Sequence, residues 1–276
     1  MRYVGLSLGI ITVLQLLITS DVCAQALSGE RKQALAVRVN TAIQVDGRLD
    51  EIAWQTAAPV VDFIQKEPVE GAEPTDRMEV RFIYDNTALY VGARMFASGP
   101  IQSMLSRRDD GAQVESIEIE LDTFLDRRTA YSFGVTAAGV RLDHFHPTDT
   151  ETNEDTEYDP VWRARTEFTV DGWTAELWLP FSQLRFNARD EHVWGLNIKR
   201  DVPSLDEENY WTLIRRTETG WASRFGELHG LQGVTSGRRL EVVPYVAGSS
   251  SVNADRDLAN PFDDGKNLSG RAGADL

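Results

Sequence analysis

The 276-residue sequence predicts an all-β protein: a two-sheet antiparallel β-sandwich of jelly-roll type, followed by the first strands of a second β-domain. Three observations support this fold class. Apolar and polar residues alternate in short runs, which is the period of a half-buried strand. Gly, Asn and Asp separate these runs at turn positions. Strands that recur so closely over about 200 residues are typical of two packed antiparallel sheets.

The composition is that of a globular protein, because 42% of the residues are hydrophobic and 26% are charged,. The 43 acidic residues outnumber the 28 basic ones and give a net charge of −15. A field of that sign repels phosphate backbones, so we expect no nucleic-acid partner. The single cysteine, Cys23, excludes an intrachain disulfide,.

The N-terminal segment predicts export. Arg2 precedes an apolar run over residues 4–18, which is short for a bilayer span but suits the core of a signal peptide,. Val22 and Ala24 provide small residues ahead of the expected cleavage position. We therefore predict a secretory signal peptide over residues 1–24 and a mature protein in the periplasm or at the cell outer membrane.

The sandwich is predicted over residues 25–236. Residues 78–84 alternate and pair across a short turn with residues 89–93,. Asp171-Gly172 marks another hairpin, because these residue types suit a tight turn between two strands,. Further predicted strands cover residues 117–121, 131–135, 140–142, 167–170, 173–179, 193–198 and 210–214.

Little helix is expected. Residues 50–58 begin with Asp50, a capping residue type, and carry Trp54 near an apolar patch before Pro59. They predict one or two helical turns that end at the proline. Residues 181–184 predict one further turn.

After Gly237 the sequence changes character. A new strand begins within residues 238–246, and another occupies residues 270–276 after a polar loop. A strand pair without the rest of its sheet is marginal by itself. We therefore expect residues 237–276 to be the start of a truncated β-barrel domain.

Five phrases between residues 43 and 180 follow one another in the order found in a known module, and the likeness covers roughly residues 40–232. They are IQVDGRLDEIAW at residues 43–54, RFIYD at 81–85, LYV at 89–91, ESIEI at 115–119, and GWTAE with LP at 172–180. In this order they resemble the family 9 carbohydrate-binding module. The resemblance implies a β-sandwich that binds poly- or oligosaccharide and is linked to carbohydrate catabolism. The sequence that starts at Arg238 is similar to the corresponding segment of exported bacterial proteins, in which this module is joined to an outer-membrane-type barrel. The resemblance therefore implies that a barrel in the same chain is a partner of the module.

The resemblance also implies where a sugar would bind. In the family's sugar-binding members two tryptophans sandwich a terminal sugar, and polar side chains take its hydroxyls. Trp221 falls at one clamp position, and Glu118 falls at the position of an acidic hydroxyl acceptor. The second clamp position falls near Ala112 and an expected arginine falls near Gly134, so half of the clamp is missing.

Strand alternation adds a second aromatic candidate. Trp178 lies on the face opposite the core-facing residues of its strand,. Asn197 and Arg200, on the strand next to Glu118, are candidates for contacts with sugar hydroxyls. The predicted carbohydrate-binding residues are thus Trp221, Glu118, Trp178, Asn197 and Arg200.

An acidic loop is the candidate metal site. Residues 149–159 hold six carboxylates within eleven residues, and oxygen ligands at that density suit calcium,. The same run also fits a solvated loop without a metal. The predicted calcium ligands are Asp149, Glu151, Asp155 and Glu157, and the family often carries structural calcium.

No catalytic residue is predicted. Glu118 and Glu120 share a strand face about 6.6 Å apart, which approaches the carboxylate spacing of an inverting glycosidase. Any half-exposed strand produces the same spacing. The sequence therefore favours saccharide binding without bond cleavage. The alternatives are a component of a glycoside hydrolase, or a periplasmic adaptor of the barrel that binds no sugar.

Overall fold

A computed structural model describes residues 31–109, 113–155, 157–236, 243–252, 259 and 266–275. The predicted signal peptide over residues 1–24 and the clamp position near Ala112 lie outside these residues. Across the described ranges, no helix has both the length and the apolar character needed to cross a membrane.

Strands dominate the described residues, which confirms the prediction of an all-β fold. They are β1 (Gln33–Arg38), β2 (Ile64–Glu67), β3 (Met78–Tyr84), β4 (Ala88–Phe96), β5 (Ser116–Asp122), β6 (Ala130–Thr136), β7 (Arg141–His146), β8 (Arg163–Thr169), β9 (Gly172–Pro180), β10 (Glu191–Val202), β11 (Glu207–Tyr210), β12 (Gly226–Gln232), β13 (Val243–Val252) and β14 (Lys266–Asp275). The helical segments are α1 (Ile52–Gln55) and single 3-10 turns at Phe181–Gln183, Pro203–Leu205 and Ala222–Arg224.

The strands form two layers that meet at β1. The first layer has the order β7-β6-β5-β10-β12-β1, and the second has the order β1-β3-β4-β9-β8. Residues 33–35 of β1 pair in parallel with β12, and residues 36–38 pair in parallel with β3. The short strands β2 and β11 extend the first layer from β10. The remaining pairs of both layers are antiparallel.

The core lies between the two layers. Ile117, Ile119 and Leu121 of β5 belong to the same buried cluster as Trp173 of β9 and Trp194 of β10. Both tryptophans alternate with apolar residues along their strands, which predicts core positions for them, and both are completely buried,. Burying a large apolar side chain contributes about 1.5–3 kcal/mol, so this cluster is the main stabilising element of the sandwich.

The local predictions for the helix and the hairpin are also confirmed. Helix α1 falls within the predicted residues 50–58, although its N-cap residue is Glu51 instead of Asp50. Strands β8 and β9 meet at the predicted Asp171-Gly172 turn. Gly172 has a φ of +148°, and a Cβ there would lie 2.0 Å from the carbonyl oxygen of Met95, so only glycine fits,.

Strands β13 and β14 form a separate two-stranded antiparallel sheet. They lie in the region where the sequence predicts the first strands of a second β-domain.

Candidate functional site

A group of polar side chains occupies the outer face of the first layer, opposite the core. Glu120 lies across from Asn197 on β10 and from Ser132 on β6. Glu118, two residues earlier, lies across from Lys199 and Gly134. We call this surface the polar face; it comprises Glu118, Glu120, Ser132, His144, His146, Asn197, Lys199 and Tyr210.

The loop after β7 covers one side of the polar face. Glu151 on this loop accepts a hydrogen bond from the Tyr210 hydroxyl at 2.8 Å and forms an ion pair with Lys66 at 3.0 Å. The oxygen that accepts from Tyr210, Glu151 Oε1, also lies 4.0 Å from the Lys199 ammonium. Asp149 accepts a hydrogen bond from the backbone N–H of Trp221 at 2.7 Å, which joins this loop to the segment before β12.

The electrostatics of the polar face follow from its burial. Burial raises the pKa of Glu118 and raises that of Glu120 well above its ordinary value, with the charges of Glu151 and Glu118 adding to the shift of Glu120. Burial opposes protonation of Lys199, but Glu118, Asp201 and Glu151 outweigh it and raise the pKa of Lys199. Burial lowers the pKa of His146 to about 4. At neutral pH the face therefore contains a neutral imidazole at His146 on β7 and a charged ammonium at Lys199 on β10,.

Several buried polar atoms around this face lack a hydrogen-bond partner of good geometry within the described part of the chain. They are Glu120 Oε2, His144 Nδ1, His146 Nδ1, Asn197 Nδ2, Thr212 Oγ1 and Trp221 Nε1. These residues form one connected group. Ser132 Oγ lies 2.9 Å from His146 Nε2, and Thr212 donates its backbone N–H to Asn197 Oδ1 at 2.8 Å. A buried polar group without a hydrogen-bond partner lowers the stability of the folded protein by about 1–3 kcal/mol. A group of such atoms on one face therefore indicates a place where a ligand could supply the hydrogen bonds.

Trp221 is not the exposed platform that the sequence predicts. Its side chain is 3% exposed, and it packs with Ala130, Ala222 and Phe225 in a small apolar cluster. The indole lies 4.2 Å from the His146 ring, between ring centroids. The burial is explained by a contact that is distant in sequence: Asp149 binds the backbone of the 221–223 turn and holds the indole against the polar face.

Arg200 is also wrong as a sugar contact. It is fully buried, its guanidinium forms an ion pair with Glu115 at 2.6 Å, and it donates to the Phe96 carbonyl at 2.8 Å. Asn197 and Arg200 are three residues apart on one strand, so their side chains point to opposite faces. Asn197 does lie on the polar face, where it is fully buried, and Glu118 is half-buried beside it.

Trp178 is half-buried on the outer face of the second layer, away from the polar face. It lines a groove of about 470 Å³ that we call the tryptophan groove. The guanidinium carbon of Arg163 lies 5.0 Å from the centroid of the Trp178 ring. The groove is lined by Ile43, Gln44, Val45, Tyr90, Arg163, Arg165 and Trp178.

The predicted calcium ligands are not brought together. Asp149 binds backbone N–H groups of residues 221 and 223, and Glu151 binds Tyr210 and Lys66. Asp155 accepts the backbone N–H of Glu157 at 3.0 Å. The described residues contain no group of three His, Cys, Asp or Glu side chains placed to hold a metal ion. These four carboxylates therefore do not fit a calcium site.

Sequence reasoning missed several residues of the polar face. His146, Lys199 and Tyr210 carry its charge and hydrogen bonding, and none of them was among the predicted sugar contacts. Strand alternation could have found Lys199, because it lies two residues from Asn197 on the same strand,. The role of Glu151 had no local signal, since it depends on residues in β2 and β11.

The architecture resembles solved carbohydrate-binding domains. A family 9 carbohydrate-binding module from Caldicellulosiruptor kristjanssonii, in complex with cellotriose, aligns with a TM-score of 0.53 at 17% identity over 75% of this chain and 95% of that one. The chain has a fold like that of family 9 carbohydrate-binding modules. The glucose complex from the same organism aligns equally well, with a TM-score of 0.53 at 17% identity over 76% of this chain and 99% of that one.

The chain is also similar in structure to a protein from Bacteroides uniformis that is provisionally named as carbohydrate-binding. It aligns with a TM-score of 0.56 at 12% identity over 73% of this chain and 100% of that one. No family model and no curated protein matches the sequence.

Proposed function

We propose that the chain is a noncatalytic module that binds poly- or oligosaccharide at the polar face. The observation that carries the proposal is the group of buried polar atoms on this face that lack a hydrogen-bond partner of good geometry among the described residues. The group includes Glu120 Oε2, Asn197 Nδ2 and Trp221 Nε1. Saccharide hydroxyls both donate and accept hydrogen bonds, so one ligand can satisfy carboxylate, amide and indole groups together. The family 9 fold supports the proposal, because solved domains of that fold were obtained with cellotriose and glucose.

Aromatic rings complete the site chemically. The indole of Trp221 and the imidazole of His146 are in contact at the border of the polar face, with ring centroids 4.2 Å apart and ring planes tilted by 45°. Their apolar surfaces suit the C–H groups of a pyranose, while Trp221 Nε1 is available to a hydroxyl,. In this proposal Trp221 contacts the saccharide with the edge of its ring and with its N–H group. It does not offer an exposed ring face for stacking.

Access to the polar face requires the loop after β7 to move. Glu151 on that loop occupies the space between Lys66, Lys199 and Tyr210. A saccharide that enters replaces these contacts of Glu151 with its own hydroxyls. The proposal therefore makes Glu151 a competitor of the ligand.

The proposal includes a cellular setting. The apolar run over residues 4–18 supports export to the periplasm or the outer membrane,. The sequence after residue 237 supports a following barrel domain as the attachment to the membrane. A link to carbohydrate catabolism rests on the resemblance to family 9 modules.

Calorimetric titration of the full chain with cello- and xylo-oligosaccharides tests the proposal. Trp221→Phe removes the unpaired indole N–H and keeps an aromatic ring, so we expect affinity to fall about five- to tenfold. Trp194→Phe is the matched control, because Trp194 also has a buried Nε1 without a partner in the described residues but lies in the core. Equal affinities of the two variants, or no binding by the unaltered chain to any oligosaccharide, would contradict the proposal.

A further inference from the structure

The tryptophan groove combines an aromatic wall with a cationic one. Strand register places Arg163, Trp178 and Tyr90 in one row across β8, β9 and β4. Arg165 follows two residues after Arg163 and lines the same groove, as does Gln44. The volume of about 470 Å³ is within the range of small-molecule sites, roughly 300–1,000 Å³,.

The two arginines have no carboxylate partner in the part of the chain that the structure describes. Ion pairs join other arginines, such as Arg94 with Asp171 at 2.8 Å, but neither Arg163 nor Arg165. The guanidinium of Arg163 is instead held over the Trp178 ring, and Arg165 donates to the Ala164 carbonyl at 2.9 Å.

The nearby carboxylates are engaged elsewhere. Glu176, across from Arg165, accepts the backbone N–H groups of Asp46 and Gly47, each at 2.9 Å. Glu51 accepts the backbone N–H of Gln44 at 3.1 Å. Two guanidinium groups therefore border the groove, and each can still form a bidentate contact with a carboxylate.

The aromatic side chains of the groove favour an anion that also has an apolar surface. Trp178 is half-buried, and the Tyr90 hydroxyl is fixed by a hydrogen bond to Asp85 at 3.1 Å. An inorganic anion would use only the arginines, whereas a carboxylated sugar ring would also place its C–H groups against the aromatic side chains.

We propose that the tryptophan groove is a second saccharide site and that it binds a hexuronic acid residue of an acidic oligosaccharide. The carboxylate pairs with Arg163 and Arg165, and the sugar ring packs against Trp178 and Tyr90. The inference extends the proposed saccharide binding to an acidic ligand, but the groove lies on the opposite layer from the polar face. The two sites can therefore fail independently.

The test is calorimetric titration of the full chain with trigalacturonate and with cellotriose at low salt. We expect Arg163→Gln and Arg165→Gln each to weaken trigalacturonate binding at least about tenfold, or about 1.4 kcal/mol. Arg128→Gln is the matched control, because Arg128 is exposed and remote from the groove in sequence and has the same charge; it should change affinity by less than about twofold,. Trp178→Leu should weaken trigalacturonate binding, and Trp221→Phe should leave it unchanged.

Three results would overturn the inference. One is unaltered trigalacturonate affinity in both arginine variants. Another is displacement of trigalacturonate by inorganic phosphate at equal concentration, which would make the groove a simple anion site. The third is weakening by Trp221→Phe but not by Arg163→Gln, which would place the acidic sugar on the polar face. Arginine-dependent binding of trigalacturonate without cellotriose binding supports the groove and rejects the polar face.

Discussion

The Arg200 guanidinium lies 2.6 Å from the Glu115 carboxylate, and both side chains are buried between the two layers. The Trp173 indole also donates to Glu115, at 2.8 Å, so one carboxylate joins β10 to β9. Removing one partner of a buried ion pair leaves the other charge without compensation.

We therefore expect Arg200→Met to lower the free energy of unfolding by about 3–5 kcal/mol. Denaturant titration measures this loss, with Arg128→Met as the exposed control. Saccharide affinity of the folded fraction should not change. A variant of normal stability that no longer bound sugar would instead return Arg200 to the binding site.

His146 should make the stability of the protein depend on pH. Burial lowers the pKa of His146 to about 4 in the folded state, against an ordinary value of 6.5. Between these values the unfolded chain binds a proton that the folded protein does not, so stability is complete above pH 6.5 and falls towards pH 4.

The expected loss is up to about 3 kcal/mol, measured as the difference between the unaltered protein and His146→Gln across this range. Glutamine can keep a contact with Ser132 but does not titrate. Parallel stability curves for the two proteins would show that the imidazole does not titrate in this way.

Glu176 should make the stability of the protein depend on pH in the opposite direction to His146. Its burial beneath the segment before β2 raises its pKa to about 7, although it accepts N–H groups from Asp46, Gly47 and Trp54. From pH 4.5 to pH 7 the folded protein keeps a proton that the unfolded chain has lost. Its contribution is therefore complete below pH 4.5 and disappears as the pH rises through 7, by up to about 3 kcal/mol.

Thermal unfolding of the unaltered protein and of Glu176→Gln, followed between pH 4.5 and pH 8, measures this contribution. The stability of the unaltered protein relative to Glu176→Gln should fall as the pH rises. A constant difference would mean that Glu176 is ionised throughout the range.

Glu151→Gln should strengthen saccharide binding at the polar face. The substitution removes the ion pair with Lys66 and weakens the hold of the loop on Tyr210. Releasing a competitor worth about 1 kcal/mol raises affinity about fivefold. Glu157→Gln is the control, since Glu157 is exposed on the same loop. Weaker binding by Glu151→Gln would show that Glu151 contacts the ligand itself.

Alternation was sufficient to predict the class of fold and most of the core. Trp173 and Trp194 follow apolar neighbours at a period of two, and strand geometry turns such residues to the same side. The parallel contact of β1 with β12 could not be predicted in this way, because it joins segments nearly 200 residues apart in sequence.

The candidate site was predicted less completely. Glu118 and Asn197 lie on the polar face, as strand position suggested. The flanking glycine and polar residues of Trp221 predicted an exposed side chain. The side chain is buried instead, because its position depends on Asp149, which is 72 residues away in sequence. The residues next to Trp221 in sequence carry no information about this long-range contact with Asp149.

The junction at β1 has a consequence for how the domain is made. Its first half adds an outer strand to the layer that ends with β12, and its second half does the same for the layer that begins with β3. A ribosome must synthesise the chain as far as residue 232 before the earliest segment has both of its neighbours. Nascent chains shorter than this leave β1 with an unprotected edge, so the domain should acquire resistance to proteases late and in a single step.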